Sequence, residues 1–241
     1  MVERVRILFT RIFAFLLMGI ILFSTSIWEF RAPLVSSLFF FVGILLVAIA
    51  SLGRLWCSLY IGGYKTDKLI TVGPYSLCRN PLYFFSLLGA IGVGLASETL
   101  TIPAIIVCGF SLYYPFVVLS EQKQLLKTHG KEYETYLRTT PAFFPKPSLL
   151  TEPSDYTVKP RIFKKHIFGA LWFVWLVGVL ELIEEAHELQ IVPVFFRLYW
   201  EVPWSLAVRE EGALSEHSSA QGYDFFYQAI VPGTPLKYRQ R

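Results

Sequence analysis

Charge is what this chain of 241 residues has least of: 17% of its residues are Asp, Glu, Lys or Arg, less than a water-soluble domain of its length carries. A solvent-covered globule is thereby excluded. Cysteine is scarce as well, and Cys57, Cys78 and Cys108 show no C-x-x-C spacing and are odd in number. Neither a disulfide framework nor a thiolate metal site is expected, so the three read as free thiols. His129, His166 and His187 lack ligand spacing, and no metal is expected. The chain offers no Ser-His-Asp or Cys-His constellation of the kind that nucleophilic hydrolysis uses. Its basic residues are scattered beside apolar runs, without the clustered face that tracks a phosphate backbone, so nucleic acid is not an expected partner.

What the chain does have is apolar sequence, 54% of the total, gathered into runs long enough to cross a bilayer. Arg4, Arg6 and Arg11 precede a run over residues 12–28. It is long for a signal peptide, and Ser24-Thr25-Ser26 is a poor cleavage site, so it reads as a first span. Further runs cover residues 34–52, 81–97, 100–119 and 167–180. The pattern predicts an all-α, multi-pass integral membrane bundle of about five transmembrane helices, with the lipid bilayer as its solvent. The short connector over residues 29–33 predicts a hairpin of the first two. In the third, Ser86, Ala90 and Gly94 recur every fourth residue, a small-residue stripe that lets helices approach closely. Gly92-Val93-Gly94 lies inside an apolar helix and lacks the strand-turn-helix setting of a nucleotide loop.

The fourth run passes without a break into a cytoplasmic amphipathic helix whose apolar stripe is Leu119, Leu125, Leu126, Tyr133, Tyr136 and Leu137, with Gly130 as the expected local break. Pro141, Pro145, Pro147 and Pro153 then mark an extended connector carrying Lys146, Lys159, Arg161, Lys164 and Lys165. The fifth run ends in Glu181, Glu184, Glu185 and Glu188, and a full span or a re-entrant helix both remain open for it. A membrane domain over residues 1–198, with its motif core at 62–147, and a polar, poorly ordered tail over 199–241 complete the expected organisation. Lys and Arg load the N-terminus, the loop with Arg54, Lys65 and Lys68, and the region after Glu121, while the intervening connectors are nearly free of them. By the positive-inside rule those loaded segments face the cytoplasm.

One cytoplasmic stretch stands out: Val72-Gly73-Pro74-Tyr75-Ser76-Leu77-Cys78-Arg79-Asn80-Pro81-Leu82-Tyr83. Gly-Pro signals a turn, and Pro81 suits the first turn of a helix, where its missing N–H costs nothing. A helix opening there sets its positive end beside Arg79 and Asn80, which makes an anion site. Glu121, at the cytoplasmic end of the fourth run, lies one turn from Val117 and one from Leu125 and can face the protein. A guanidinium and a carboxylate held together suit a zwitterion such as an amino acid.

Gly-Pro-Tyr-x-x-x-Arg-Asn-Pro-x-Tyr over residues 73–83, followed by Glu121, Leu125, Gly130, Tyr133, Tyr136 and Pro141, resembles the isoprenylcysteine carboxyl methyltransferase and phospholipid methyltransferase superfamily. The resemblance covers residues 34–147, and His166 to Tyr199 is similar to the C-terminal part of bacterial members. It implies an S-adenosylmethionine-dependent enzyme whose cofactor pocket opens to the cytoplasm while a lipophilic methyl acceptor arrives through the bilayer. Arg79 and Glu121 would be catalytic, and Gly73, Pro74, Tyr75, Arg79, Asn80, Pro81, Tyr83 and Glu121 would hold the cofactor. Tyr113, Tyr114 and Arg138 are weaker candidates toward substrate. This chain departs from the family in having Asn80 where His is frequent, Gln122 beside Glu121, and Thr139 with Arg138 adjacent. The resemblance favours O-methylation of an isoprenylcysteine-type carboxylate; a phospholipid amine, a small thiol, an NADPH-dependent reductase and a non-enzymatic scaffold are the alternatives. Oligomeric state is not legible.

Overall fold

The structure, a computed structural model, describes residues 2–26, 32–64, 68–194 and 196–197. Trp28, the connector at 29–31, Lys65 and the tail at 199–241 lie outside the described residues. The helices are α1 (Val2–Phe23), α2 (Pro33–Ile61), the single turn α3 (Pro74–Leu77), α4 (Pro81–Ala96), α5 (Thr101–Thr139) and α6 (Pro160–Glu188), with a 3₁₀ turn at Pro147–Leu149. Among the described residues the remaining regular element is a two-residue parallel pairing of β1 (Ser24–Thr25) with β2 (Phe196–Arg197). The protein is an all-α membrane bundle.

Proline stands in the first turn of α2, α3, α4 and α6, where its fixed φ favours helix initiation. The helices α2, α5 and α6 are long and apolar enough to cross a bilayer, and Ile12–Phe23 and α4 are shorter apolar helices. Large apolar side chains point outward all round, among them Phe15, Leu34, Phe116 and Trp175, each at least 70% exposed. In a bilayer these faces meet lipid tails, where exposure carries no hydrophobic penalty.

All five long helices enter one core cluster: Ile21 of α1, Val47 of α2, Val93 and Ala96 of α4, Ile102 and Ile106 of α5, and Leu180 of α6. The hairpin expected of the first two helices is not the principal pairing, since α2 packs chiefly on α4. Backbones set that choice. A Cβ added to Gly43 would stand 2.6 Å from the carbonyl oxygen of Gly92, and one added to Gly92 would stand 2.8 Å from that of Gly43. Small residues do mediate helix approach, but through Gly43, Gly89 and Gly92; in the Ser86, Ala90 and Gly94 stripe, Ser86 and Ala90 are only half-buried. The α1 helix rests instead on α5, with Phe13 filling the space over Gly109, and on α6 through His187.

The two ends of the bundle differ. At one, Ser26 Oγ donates to Glu98 O at 2.7 Å, the Ser36 hydroxyl donates to the Glu98 carboxylate, and His187 Nε2 meets Leu22 O at 2.8 Å. At the other, Lys159 Nζ donates to Gly63 O at 2.7 Å and Tyr156 Oη to Tyr60 O at 2.6 Å. Hence α6 starts at the second end and finishes at the first, running the height of the bundle.

Two element boundaries differ from those expected. The α2 helix continues nine residues past Leu52, which puts Arg54 inside the helix rather than in a loop. Arg161, Lys164 and Lys165 occupy the first turns of α6, because Pro160 starts the helix ahead of its apolar run. Gly130 does break α5, at φ 51° and ψ −123°. The apolar stripe therefore splits there: Tyr133 and Tyr136 are buried, whereas Leu119 and Leu126 are exposed.

Candidate active site

The turn over residues 73–80 is fixed almost wholly through its backbone. Gly73 has φ +61°, and a Cβ there would run into the Tyr60 ring, so glycine is required twice over. Its N–H donates to Thr151 O at 2.8 Å, Ser76 Oγ donates to Gly73 O at 2.7 Å, and the Thr151 N–H donates to Ser76 Oγ at 3.0 Å. The Arg79 N–H donates to Pro141 O at 2.9 Å, and the Lys146 N–H to Leu77 O at 3.0 Å. A strap formed by residues 141–151 thus runs along the turn. Pro74, Tyr75 and Pro81 are buried under it.

Asn80 serves the same strap. Its Nδ2 donates to Ala142 O at 2.9 Å, and its own carbonyl accepts the N–H groups of Tyr83 and Phe84, both at 3.1 Å. The first turn of α4 is accordingly closed on Asn80, which leaves it fewer open donors than the sequence pattern predicts.

Beyond the Gly130 break, α5 clamps the turn: Tyr136 Oη donates to Tyr75 O at 2.6 Å. Burial, with the neighbouring Cys78 and Tyr133, pushes the Tyr136 phenol up, and Arg79 works in the opposite direction. Burial likewise pushes the Tyr133 phenol up, with Arg79 lowering and Glu121 raising it. Arg79 and Glu121 therefore act on one tyrosine, and Tyr83 Oη donates to Glu121 Oε1 at 2.9 Å, joining α4 to α5. Burial pushes the Cys78 thiol up to about 11, so it is protonated near neutrality and is no nucleophile.

An aromatic wall backs this pair. The Tyr114 ring meets Tyr83 edge-on at 5.8 Å, stacks on Phe110 at 5.1 Å and meets Phe143 of the strap at 4.8 Å. Three polar atoms in this neighbourhood are buried without a hydrogen-bond partner among the described residues: Arg79 Nε, Tyr75 Oη and Tyr114 Oη, the last approached by the Asn80 amide outside hydrogen-bonding geometry. A polar groove of about 460 Å³ adjoins the clamp, with Ser76, Glu132, Thr135, Tyr136 and Thr151 in its wall.

Of the residues expected at the site, Gly73, Pro74, Tyr75, Arg79, Asn80 and Pro81 form the turn, and Tyr83 with Glu121 forms the bridge. Tyr114 belongs to the wall and Tyr113 is half-buried beside it on α5. Arg138 is exposed in the last turn of α5. Sequence reading gave no role to Ala142, Phe143, Lys146 or Thr151; their proline-rich setting signalled an extended segment, though nothing in it named the turn as its partner.

Comparison with known proteins adds the relatives of this arrangement. The chain is 41% identical over 157 residues to the nickel-cobalt-cadmium resistance protein NccN of Alcaligenes xylosoxydans xylosoxydans, covering 65% of this chain and 73% of that one. It is 42% identical over 168 residues to the cobalt-zinc-cadmium resistance protein CzcN of Cupriavidus metallidurans, covering 70% and 76%. A family profile described as phospholipid methyltransferase matches residues 34–132, from the start of α2 to the clamp segment of α5. The chain belongs to the phospholipid methyltransferase family. The matched stretch contains the turn, the Tyr83–Glu121 bridge and Tyr114, so the site described above is built mainly from the family's own region. The strap lies beyond it. No solved structure matches the chain.

Proposed function

We propose that this member of a membrane methyltransferase family uses S-adenosylmethionine and methylates a lipophilic acceptor presented by the bilayer, at a site facing the cytoplasm. The hydrogen bond from Tyr83 to Glu121 carries the reading, because it unites two motifs far apart in the chain, and Arg79 and Glu121 both bear on Tyr133. The residues present fit the cofactor: an amino-acid zwitterion asks for one cation and one anion, and the buried Nε of Arg79 has a hydrogen bond still to give. When bound, S-adenosylmethionine supplies an electrophilic methyl group on a cationic sulfur.

Arg79 binds the carboxylate end and Glu121 the ammonium end, while Tyr83 fixes which Glu121 oxygen is presented. Gly73, Pro74, Tyr75, Asn80 and Pro81 act as positioning residues, since they set the turn from which Arg79 projects. The rings of Tyr83, Tyr114 and Phe143 exclude water, and their faces suit a cationic sulfur. No general acid is needed, because methyl transfer to a good nucleophile depends on alignment and desolvation. The distribution of Lys and Arg supports a cytoplasmic site. The acceptor is a membrane lipophile whose carboxylate or amine would take the methyl group as the sulfur–methyl bond breaks, the electron pair returning to sulfur to leave a neutral thioether.

The test is titration of the purified protein in detergent with S-adenosylmethionine and with NADPH, repeated with Arg79→Ala and Glu121→Gln. Micromolar binding, about −8 kcal/mol, is expected for S-adenosylmethionine, with a loss of at least about tenfold in either variant. Binding of NADPH instead would mark a reductase, and binding of neither a scaffold. Labelled methyl donor added to a lipid extract identifies the acceptor. The names of NccN and CzcN favour a second, compatible reading, that the activity serves resistance to divalent metals. Growth of a deletion strain in cadmium, with and without the Arg79→Ala gene, tests it.

A further inference from the structure

Arg54 lies seven residues inside the end of α2 and is the one charged residue of that helix. Its side chain reaches across to two other helices. One guanidinium nitrogen donates to the Ser86 hydroxyl of α4, another donates to Gly169 O of α6 at 3.4 Å, and the guanidinium carbon stands 5.4 Å over the Phe173 ring. Nε is buried with no partner, and no carboxylate pairs with the group among the described residues. A cation at membrane depth without a counter-ion is costly and marks a site by default.

The surroundings leave room for an anion. A Cβ added to Gly169 would meet nothing within 4 Å, so the guanidinium borders open space on the α6 side, and its bond to Gly169 O is exposed. Above that space, one to two turns toward the motif end, α6 carries Arg161, Lys164, Lys165 and His166, all exposed. The sequence therefore runs from a basic rim down to a single cation under it. Lipid tails can occupy the apolar flanks, where Trp172 and Phe168 are exposed.

We propose that the crevice between α2 and α6 binds the phosphate of an acidic phospholipid from the leaflet on the motif side, with Arg54 as its ligand and Arg161, Lys164 and Lys165 around its headgroup. The site is separate from the Tyr83–Glu121 bridge and does not depend on the methyltransferase reading. A phosphate supplies what Arg54 lacks, a charge opposite to its own, and would be met by the guanidinium nitrogen whose long bond to Gly169 O is exposed.

The test uses the full chain purified in mild detergent, with phosphatidylglycerol, phosphatidylcholine or inorganic phosphate added, and reads bound lipid by mass spectrometry together with the thermal unfolding midpoint. Phosphatidylglycerol should be retained and raise the midpoint, phosphatidylcholine less so, with retention falling about tenfold in Arg54→Gln and largely kept in Arg54→Lys. Gly169→Leu fills the crevice without touching Arg54 and should lower retention equally, which covers the case in which Arg54→Gln does not fold. Equal retention in wild type, Arg54→Gln and Gly169→Leu overturns the proposal. A rise in midpoint with inorganic phosphate that matches that with phosphatidylglycerol overturns the lipid as occupant.

Discussion

Tyr83 and Glu121 are separated by 38 positions and meet at 2.9 Å, and that meeting sets what single substitutions should do. Tyr83→Phe keeps the ring against Tyr114 and deletes only the hydroxyl donor, so we expect cofactor affinity to fall about two- to thirteenfold, the worth of one hydrogen bond at about 0.5–1.5 kcal/mol. Calorimetric titration measures it, and an unchanged affinity would detach Glu121 from the site. Cys78 gives a pH prediction. Its folded pKa of about 11 lies above the ordinary 9.0, so the proton is held more tightly in the folded chain. The stability it contributes is complete below pH 9 and is lost as pH rises toward 11. Replacing Cys78 with Ala should flatten that part of an alkaline unfolding curve, and in a chain where Cys78 is the sole cysteine, alkylation should stay slow at pH 8.

Among elements, the α2–α4 pair is the one most exposed to a change in volume. Gly92→Val would place a branched side chain where the Gly43 carbonyl and Val47 N–H now lie, with contacts of 2.8 and 2.9 Å already at Cβ. The helices must then separate, at a cost of about 1–3 kcal/mol, which a lowered thermal midpoint in detergent would report. Gly169→Ala serves as the contrast, since its Cβ enters open space and helix propensity favours alanine. The starts of α2, α4 and α5, the Gly130 break and the lengths of α4 and α5 were legible in the sequence, because proline and glycine act locally, whereas the start of α6 at Pro160 was not. Nor was the end of α2. Arg54 reads as the close of an apolar run, yet its hydrogen bonds to Ser86 and Gly169 let the helix pass through it, and neither partner is near it in sequence.

For the molecule as a whole, the alternation of helix ends predicts which surfaces are accessible from which side. The motif end and the Glu98–His187 end lie at opposite ends of the bundle, and the proposed orientation puts the first in the cytoplasm. In intact cells carrying a cysteine-free chain, a cysteine at Glu188 should react with a membrane-impermeant reagent. One at Lys127 should react only after permeabilisation. Labelling of Lys127 from outside, with Glu188 reached only after permeabilisation, would reverse the orientation and with it the cytoplasmic placement of the proposed site. That α6 runs the full height of the bundle is what makes the Glu188 arm decisive.

Residue order alone determined that the chain is a multi-pass helical membrane protein and that a turn opens at Gly73, and it singled out Arg79 and Glu121, whose pairing is the proposal made above. Each of these follows from hydropathy, from backbone restriction at Gly and Pro, or from the rarity of charge in an apolar chain. Only the tertiary structure decided that Asn80 would serve the strap, that residues 141–151 would hold the turn by backbone bonds, and that Arg54 would tie three helices together. Backbone hydrogen bonds carry no side-chain signature, and a buried cation finds its partners wherever packing brings them, so neither could be read before the helices were placed.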